Sequence, residues 1–198
     1  GFAVAGIHAY ALLRVPKDSD RGGLHRRALV LALWMGGVAS LLQPLSGDHA
    51  AKTVAATQPV KLAALEGHFH TERRAPLRIG GWPDEATETT RYAIELPGLL
   101  SVLAFGKLDA EVAGLDQVPR ALRPPVPIVH VAFQIMVACG GALAALSLWA
   151  AYLALRRRPL ADQRLFLWAL VAATPLGVLA VEAGWVVTEV GRQPWVIY

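Results

Sequence analysis

The sequence predicts an all-α membrane protein, part of a transmembrane helix bundle that holds the end of one helix, three full spans and a long external loop. Three observations predict it. Of the 198 residues, 55% are apolar and 17% charged, too apolar a balance for a soluble domain of this size. The stretches 28–45 and 124–155 carry no charge at all, and a bilayer span needs roughly 20 such residues. The basic side chains are clustered, with Arg14, Lys17, Arg21, Arg26 and Arg27 in one connection and Arg156, Arg157, Arg158 and Arg164 in another.

Residues 1–13 are apolar but too short to cross a bilayer, and they lack the charged start and cleavage site of a signal peptide. They predict the C-terminal end of a truncated transmembrane helix, in a chain that is an internal fragment of a longer subunit. A loop over 14–27 follows, then a span over 28–45, a loop over 46–126, a span over 127–155, a loop over 156–164, a span over 165–189 and a final segment over 190–198. The arginine-rich loops are cytoplasmic by the positive-inside rule, which puts 46–126 and 190–198 outside. Between Asp48 and Val126 there are nine basic and ten acidic residues. The net charge of +4 therefore reflects topology rather than a nucleic-acid partner.

A connection longer than about 15 residues tends to be functional or disordered, and the composition of 46–126 favours function. Its early part, TVAATQPVKLAALEGHF, places Leu62, Leu65 and Phe69 as the apolar set of a short helix on the membrane surface. Pro76, Gly80, Gly81 and Pro83 interrupt that pattern. The patch YAIELPGLLSVLAFG is broken by Glu95 and Pro97 and reads as a docking segment. Pro119, Pro124, Pro125 and Pro127 lead into the next helix, where proline is tolerated in the first turn. Cys139 is the single cysteine; it excludes an internal disulfide or a cysteine-based cluster and reads as a small packing residue.

Glu182 is the strongest chemical signal, because a carboxylate inside a span costs several kcal/mol unless it is paired, protonated or bound to a metal. Trp185, Glu189, Arg192, Gln193 and Trp195 follow it. Arginine and aromatic rings at that depth either anchor a helix at the interface or bind propionates or an interfacial ring. Met136 lies in the outer half of its span, at the depth of Glu182; its sulfur is a soft ligand for low-spin haem iron, and buried methionine is otherwise packing. His130 sits on another face of that helix and reads as a solvated interfacial residue. His8, His25, His49, His68 and His70 form no convincing metal set. Lys61 and Glu66, five apart, are too far apart for the usual helical pair; a ring headgroup can meet both, with the carboxylate taking its proton, and two exposed charges are otherwise simply solvated.

Together, GD at 47–48, QPVKLAALEG at 58–67, FQIMVACG at 133–140 and VEAGWVVTEVGRQPW at 181–195 resemble subunit I of the cytochrome bd quinol oxidases. The resemblance covers essentially the whole chain, and GRQPW after EAGW is its most specific part. It implies that Lys61 and Glu66 act in quinol oxidation, that Met136 is the axial ligand of low-spin haem b, and that Glu182 serves the high-spin haem b beside haem d, or a haem b in its place. It further implies Arg192, Gln193, Trp195 and Trp185 as cofactor-binding residues. Ubiquinol or menaquinol as substrate, oxygen as acceptor, subunit II and a small accessory subunit as partners, and the bacterial inner membrane as location follow in the same way. The loop resembles the short, cyanide-insensitive-oxidase-like form. Gln134 departs from the arginine often found there, and the histidine facing Met136 falls before Gly1. The alternatives are a transporter in which Glu182 and Arg192 line an ion path, and a diheme electron-transfer anchor.

Overall fold

A computed structural model describes residues 1–14 and 20–194. The helices are α1 (Phe2–Arg14), α2 (Asp20–Thr57), α3 (Pro59–Glu66), α4 (Leu99–Phe105), α5 (Val126–Leu155), α6 (Arg164–Ala172) and α7 (Leu176–Val190). Among the described residues, three segments are long and apolar enough to cross a membrane: α2, α5, and α6 with α7. The 30 residues of α5 reach about 45 Å at the usual helical rise. Helix α2 overruns the charge-free window 28–45 at both ends and passes through Pro44. Charge marks which residues fit hydrocarbon, not where backbone hydrogen bonding stops, so the connection predicted over 14–27 is already helical at Asp20. Lys17, assigned to that connection, lies outside the described residues.

The chain divides into two units, Gly1–Pro44 with Val137–Val181, and Leu45–Met136 with Glu182 onward. In the first, Phe2, Ala5 and Ala9 pack with Leu29, Ala32, Leu33, Phe166, Leu167 and Leu170. Small residues allow helix backbones to approach closely, and a Cβ on Gly6 would stand 2.9 Å from the Leu170 carbonyl oxygen. Ser40 and Ser147 share a hydrogen bond of 2.7 Å. His8 and His25 place their Nδ1 atoms 2.9 Å apart. Among the described residues, no cluster of three metal-ligating side chains occurs. Cys139 is buried and unbridged, as a packing residue should be.

In the second unit, the long loop folds on itself as nested antiparallel ribbons. The outer pair is β1 (Glu72–Arg73) with β6 (Glu111–Val112), the middle pair β2 (Leu77–Ile79) with β5 (Ile94–Leu96), and the inner pair β3 (Trp82–Asp84) with β4 (Thr89–Arg91). Such short strands carry no alternation long enough to read in a sequence, and the fold remains mostly helical. The segment read as a docking patch becomes β5 and α4. Buried Ser101 ties it down, accepting the Ala75 N–H at 2.9 Å and donating to the Ala110 carbonyl at 2.8 Å.

Candidate functional site

Helix α3 is short because its ends are set locally. Pro59 occupies the first turn, where its missing N–H costs nothing. Gly67 ends the helix at φ 58°, with the Gly67 N–H bonded to the Ala64 carbonyl and the His68 N–H to Ala63 at 2.8 Å. This left-handed closure is the glycine-terminated helix end in which two otherwise unbonded carbonyls are satisfied. Glycine is required twice over, since a Cβ at position 67 would also stand 2.6 Å from Thr90 Oγ1.

A membrane-surface helix would keep one face wet, but α3 is enclosed on both sides. Leu62 packs with Ala55, Ala75, Leu100, Ala104 and Val112. Ala63, Ala64 and Leu65 pack with Phe69, Leu115, Val126, Val129, Ala132 and Val187. Phe69, predicted to complete the apolar face, is buried in that second cluster. The same enclosure buries the two charged residues, leaving Lys61 8% and Glu66 5% exposed.

The two respond as burial dictates. Desolvation pushes the Glu66 carboxyl up to about 7, with the Arg78 guanidinium pulling the other way. Its Oε2 is buried with no hydrogen-bond partner. Burial also lowers the Lys61 ammonium, helped by Arg192 and opposed by Glu189. Position 191 explains the closeness, for a Cβ on Gly191 would meet Lys61 Cε at 3.3 Å. The structure thus brings Lys61 beside the Gly191–Arg192 step. Arg192 and Gln193 themselves are exposed, and Trp195 lies outside the described residues.

His68, two residues past Glu66, is fully buried. Arg78 Nη1 lies 3.1 Å from its Nδ1. A guanidinium only donates, so Nδ1 accepts and the ring proton sits on Nε2. Burial, then the Arg78 charge, push this imidazole down to about 4. His130 corrects the reading of a solvated histidine: it is fully buried, with Nδ1 2.8 Å from the Leu65 carbonyl and Nε2 3.1 Å from that of Gly80. One turn on, Gln134 accepts the Gly80 N–H and donates to the Arg78 carbonyl, both at 3.0 Å. An apolar helix carrying two polar residues four apart thereby holds the loop by its main chain.

Met136, half-buried on the same helix, lays its sulfur against α7. A Cβ on Gly184 would come within 3.1 Å of Met136 Sδ. Glu182 stands two residues earlier and is exposed, as is Trp185. Met136 and Glu182 therefore occupy neighbouring levels, as their positions within the spans predict.

The profile of the family described as cytochrome bd terminal oxidase subunit I matches residues 1–198. The chain belongs to that family. A Bacillus subtilis (strain 168) protein with the provisional name cytochrome bd menaquinol oxidase subunit I is 40% identical over 204 residues, covering 100% of this chain and 44% of the relative. Cytochrome bd-II ubiquinol oxidase subunit 1 of Escherichia coli (strain K12) is 29% identical, covering 98% of this chain and 50% of its own length. The solved structure of bd oxidase from Geobacillus thermodenitrificans superposes with a TM-score of 0.85 at 37% identity, over 100% of this chain and 44% of that one. The chain thus spans about half the length of the relatives it matches.

Membership in a cytochrome family implies haem, and the donor set fits. A porphyrin brings its own nitrogens to the iron, so one donor from this chain for each haem is compatible with the lack of a three-residue cluster among the described residues. Met136 offers a soft thioether beside a glycine that leaves room, and Glu182 offers a carboxylate on an open apolar face. The sequence reading missed His68, Arg78, His130, Gly184 and Gly191 as parts of the site. Their signal lay inside the quoted strings for Gly184 and Gly191, and beside them for His68; Arg78 carried none.

Proposed function

We propose that the chain is the quinol-oxidising and haem-bearing half of subunit I of a bacterial respiratory terminal oxidase that oxidises quinol and reduces oxygen to water. The observation that carries this is Glu66, a buried carboxyl near 7 with an unpartnered oxygen, held on one short helix with a buried lysine in a chain of this family. A base of that strength accepts a hydroxyl proton at neutral pH. Lys61 orients the ring through its ammonium.

Met136 would hold the iron of low-spin haem b and Glu182 that of high-spin haem b. Trp185, Arg192, Gln193 and Trp195 would line the cofactors, with Arg192 suited to propionates. Haem supplies one-electron transfer and, at haem d or a haem b in its place, the reduction of oxygen. Subunit II and a small accessory subunit complete the assembly in the cytoplasmic membrane, with ubiquinol or menaquinol as donor. The loop 46–126 faces outward, so that quinol protons leave outside. The family argues against the transporter alternative.

The test compares reduced-minus-oxidised spectra of membranes carrying the whole subunit with its partner, as wild type, Met136→Leu and Glu182→Ala. The low-spin b signal should vanish in the first, and the high-spin b or d signal should change in the second. Spectra without haem in any of them would refute the assignment.

A further inference from the structure

We propose that the ribbons of the long loop seat in the lipid bilayer, with Ile79 and Ile94 against acyl chains and Trp82 and Tyr92 among the phospholipid headgroups of the leaflet nearer this loop. The inference starts from how the loop hangs on α5. Gln134 accepts the Gly80 N–H and donates to the Arg78 carbonyl, and His130 Nε2 lies 3.1 Å from the Gly80 carbonyl. At the head of the same helix, the Val126 N–H donates to Glu85 Oε1 at 3.0 Å. Strand β3 therefore climbs beside α5 from the level of Gln134 toward that of Val126, about 12 Å at the helical rise.

Those levels have a place in a bilayer. From Gln134 to the end of α5 at Leu155 the rise covers about 30 Å, the thickness of the hydrocarbon. Arg156, Arg157 and Arg158 follow directly and mark the opposite boundary. The corner from Arg78 to Gly80 is thus held at the hydrocarbon edge on the loop's side, and the climb toward Val126 passes through the headgroup layer.

The side chains are sorted to match. Successive residues of a strand point to opposite faces. On the inner face, Arg78 meets His68 and Glu95, and the register partners Pro83 and Thr90 lie over Gly67, whose carbonyl accepts from Thr90 Oγ1 at 2.8 Å. The other face is open. Its lowest pair is Ile79 opposite Ile94, both exposed. Above them come Trp82, 58% exposed, and Tyr92, 92% exposed. Highest is Asp84, to which Arg91 reaches with an ion pair of 2.6 Å, beside a cleft of about 610 Å³ lined by Trp82, Tyr92 and Pro127.

Apolar, then aromatic, then charged side chains over about 12 Å reproduce the polarity profile of a membrane interface, where tryptophan and tyrosine concentrate. A protein partner would require no such order by depth. Through Thr90 and Pro83, the seat also holds the turn at Glu66 and Gly67 at the edge of the bilayer.

The experiment attaches a nitroxide in turn at Ile94→Cys, Tyr92→Cys and Ala86→Cys in the whole oxidase complex in phospholipid vesicles, without quinol, with equally treated wild type subtracted. Haem spectra report assembly. Collision rates are read with oxygen, which concentrates in lipid, and with a nickel chelate that stays in water. The oxygen-to-nickel ratio should be several-fold higher at position 94 than at the exposed turn residue Ala86, with position 92 between them. Frequent nickel collisions at both 92 and 94, or one ratio at all three positions, would put the ribbons in water and overturn the proposal. Few collisions with either reagent at 92 and 94 would mean that protein covers this face, and would overturn it as well. If Ile94→Cys does not assemble, Ile79→Cys reports the same level from across the ribbon and decides by the same ratios.

Discussion

Met136 and Gly184 meet so closely that a Cβ on the glycine would lie 3.1 Å from the methionine sulfur. The glycine of EAGW thus leaves room for the thioether that we assign to haem iron. Gly184→Ala should require a sulfur shift of a few tenths of an ångström, and Gly184→Val a new side-chain rotamer. The low-spin haem b band should weaken or shift modestly in the first and strongly in the second, while quinol binding is kept. Redox titration of both variants in the intact complex measures this; identical titrations would show that the contact does not govern ligation.

Glu66 makes the loop sensitive to pH. Its folded value of about 7 lies above the ordinary 4.5, so the folded state binds the proton more tightly. The favourable contribution is complete below about 4.5 and is lost as pH rises through about 7, a total of about 3 kcal/mol. Hydrogen exchange over residues 59–69 should accordingly be faster at pH 8 than at pH 5, beyond the intrinsic pH effect. Glu66→Gln should remove that excess.

As the proposed quinol base, the same group should limit catalysis in the opposite sense. A base must be unprotonated to accept from quinol, so kcat/KM should fall as pH drops below about 7. Glu66→Ala should abolish quinol oxidation and spare activity with an artificial electron donor. Equal loss of both activities would contradict a role confined to quinol.

How much of this was legible depends on what each residue's neighbours are. Glu182 and Met136 stand out in the sequence as candidates because a carboxylate in an uncharged span is anomalous by itself, and position along a helix gives depth. Lys61 and Glu66 stood out as a pair, but their burial did not, since it comes from Ala55, Leu100, Val112 and Val187, residues far apart in sequence. His130 was misread for the same reason: histidine near a helix end is usually wet, and only the returning loop supplies the Leu65 and Gly80 carbonyls. The nested ribbons were invisible because each strand is two or three residues long and is held by register with a distant partner.

Gly191 gives the last prediction, because it puts the start of the GRQPW string beside the lysine of the proposed quinol site. A Cβ there would meet Lys61 Cε at 3.3 Å as well as crowding the Val187 carbonyl. Alanine must therefore displace both the end of α7 and the lysine stem. If Lys61 orients the ring without entering the chemistry, the loss is one of binding shared by ground and transition states. KM for quinol should then rise several-fold while kcat changes little. Lys61→Met should reproduce the effect with the helix end intact. A fall in kcat at constant KM in both variants would instead place the ammonium in the transition state, where it would be neutralising charge as the proton leaves for Glu66.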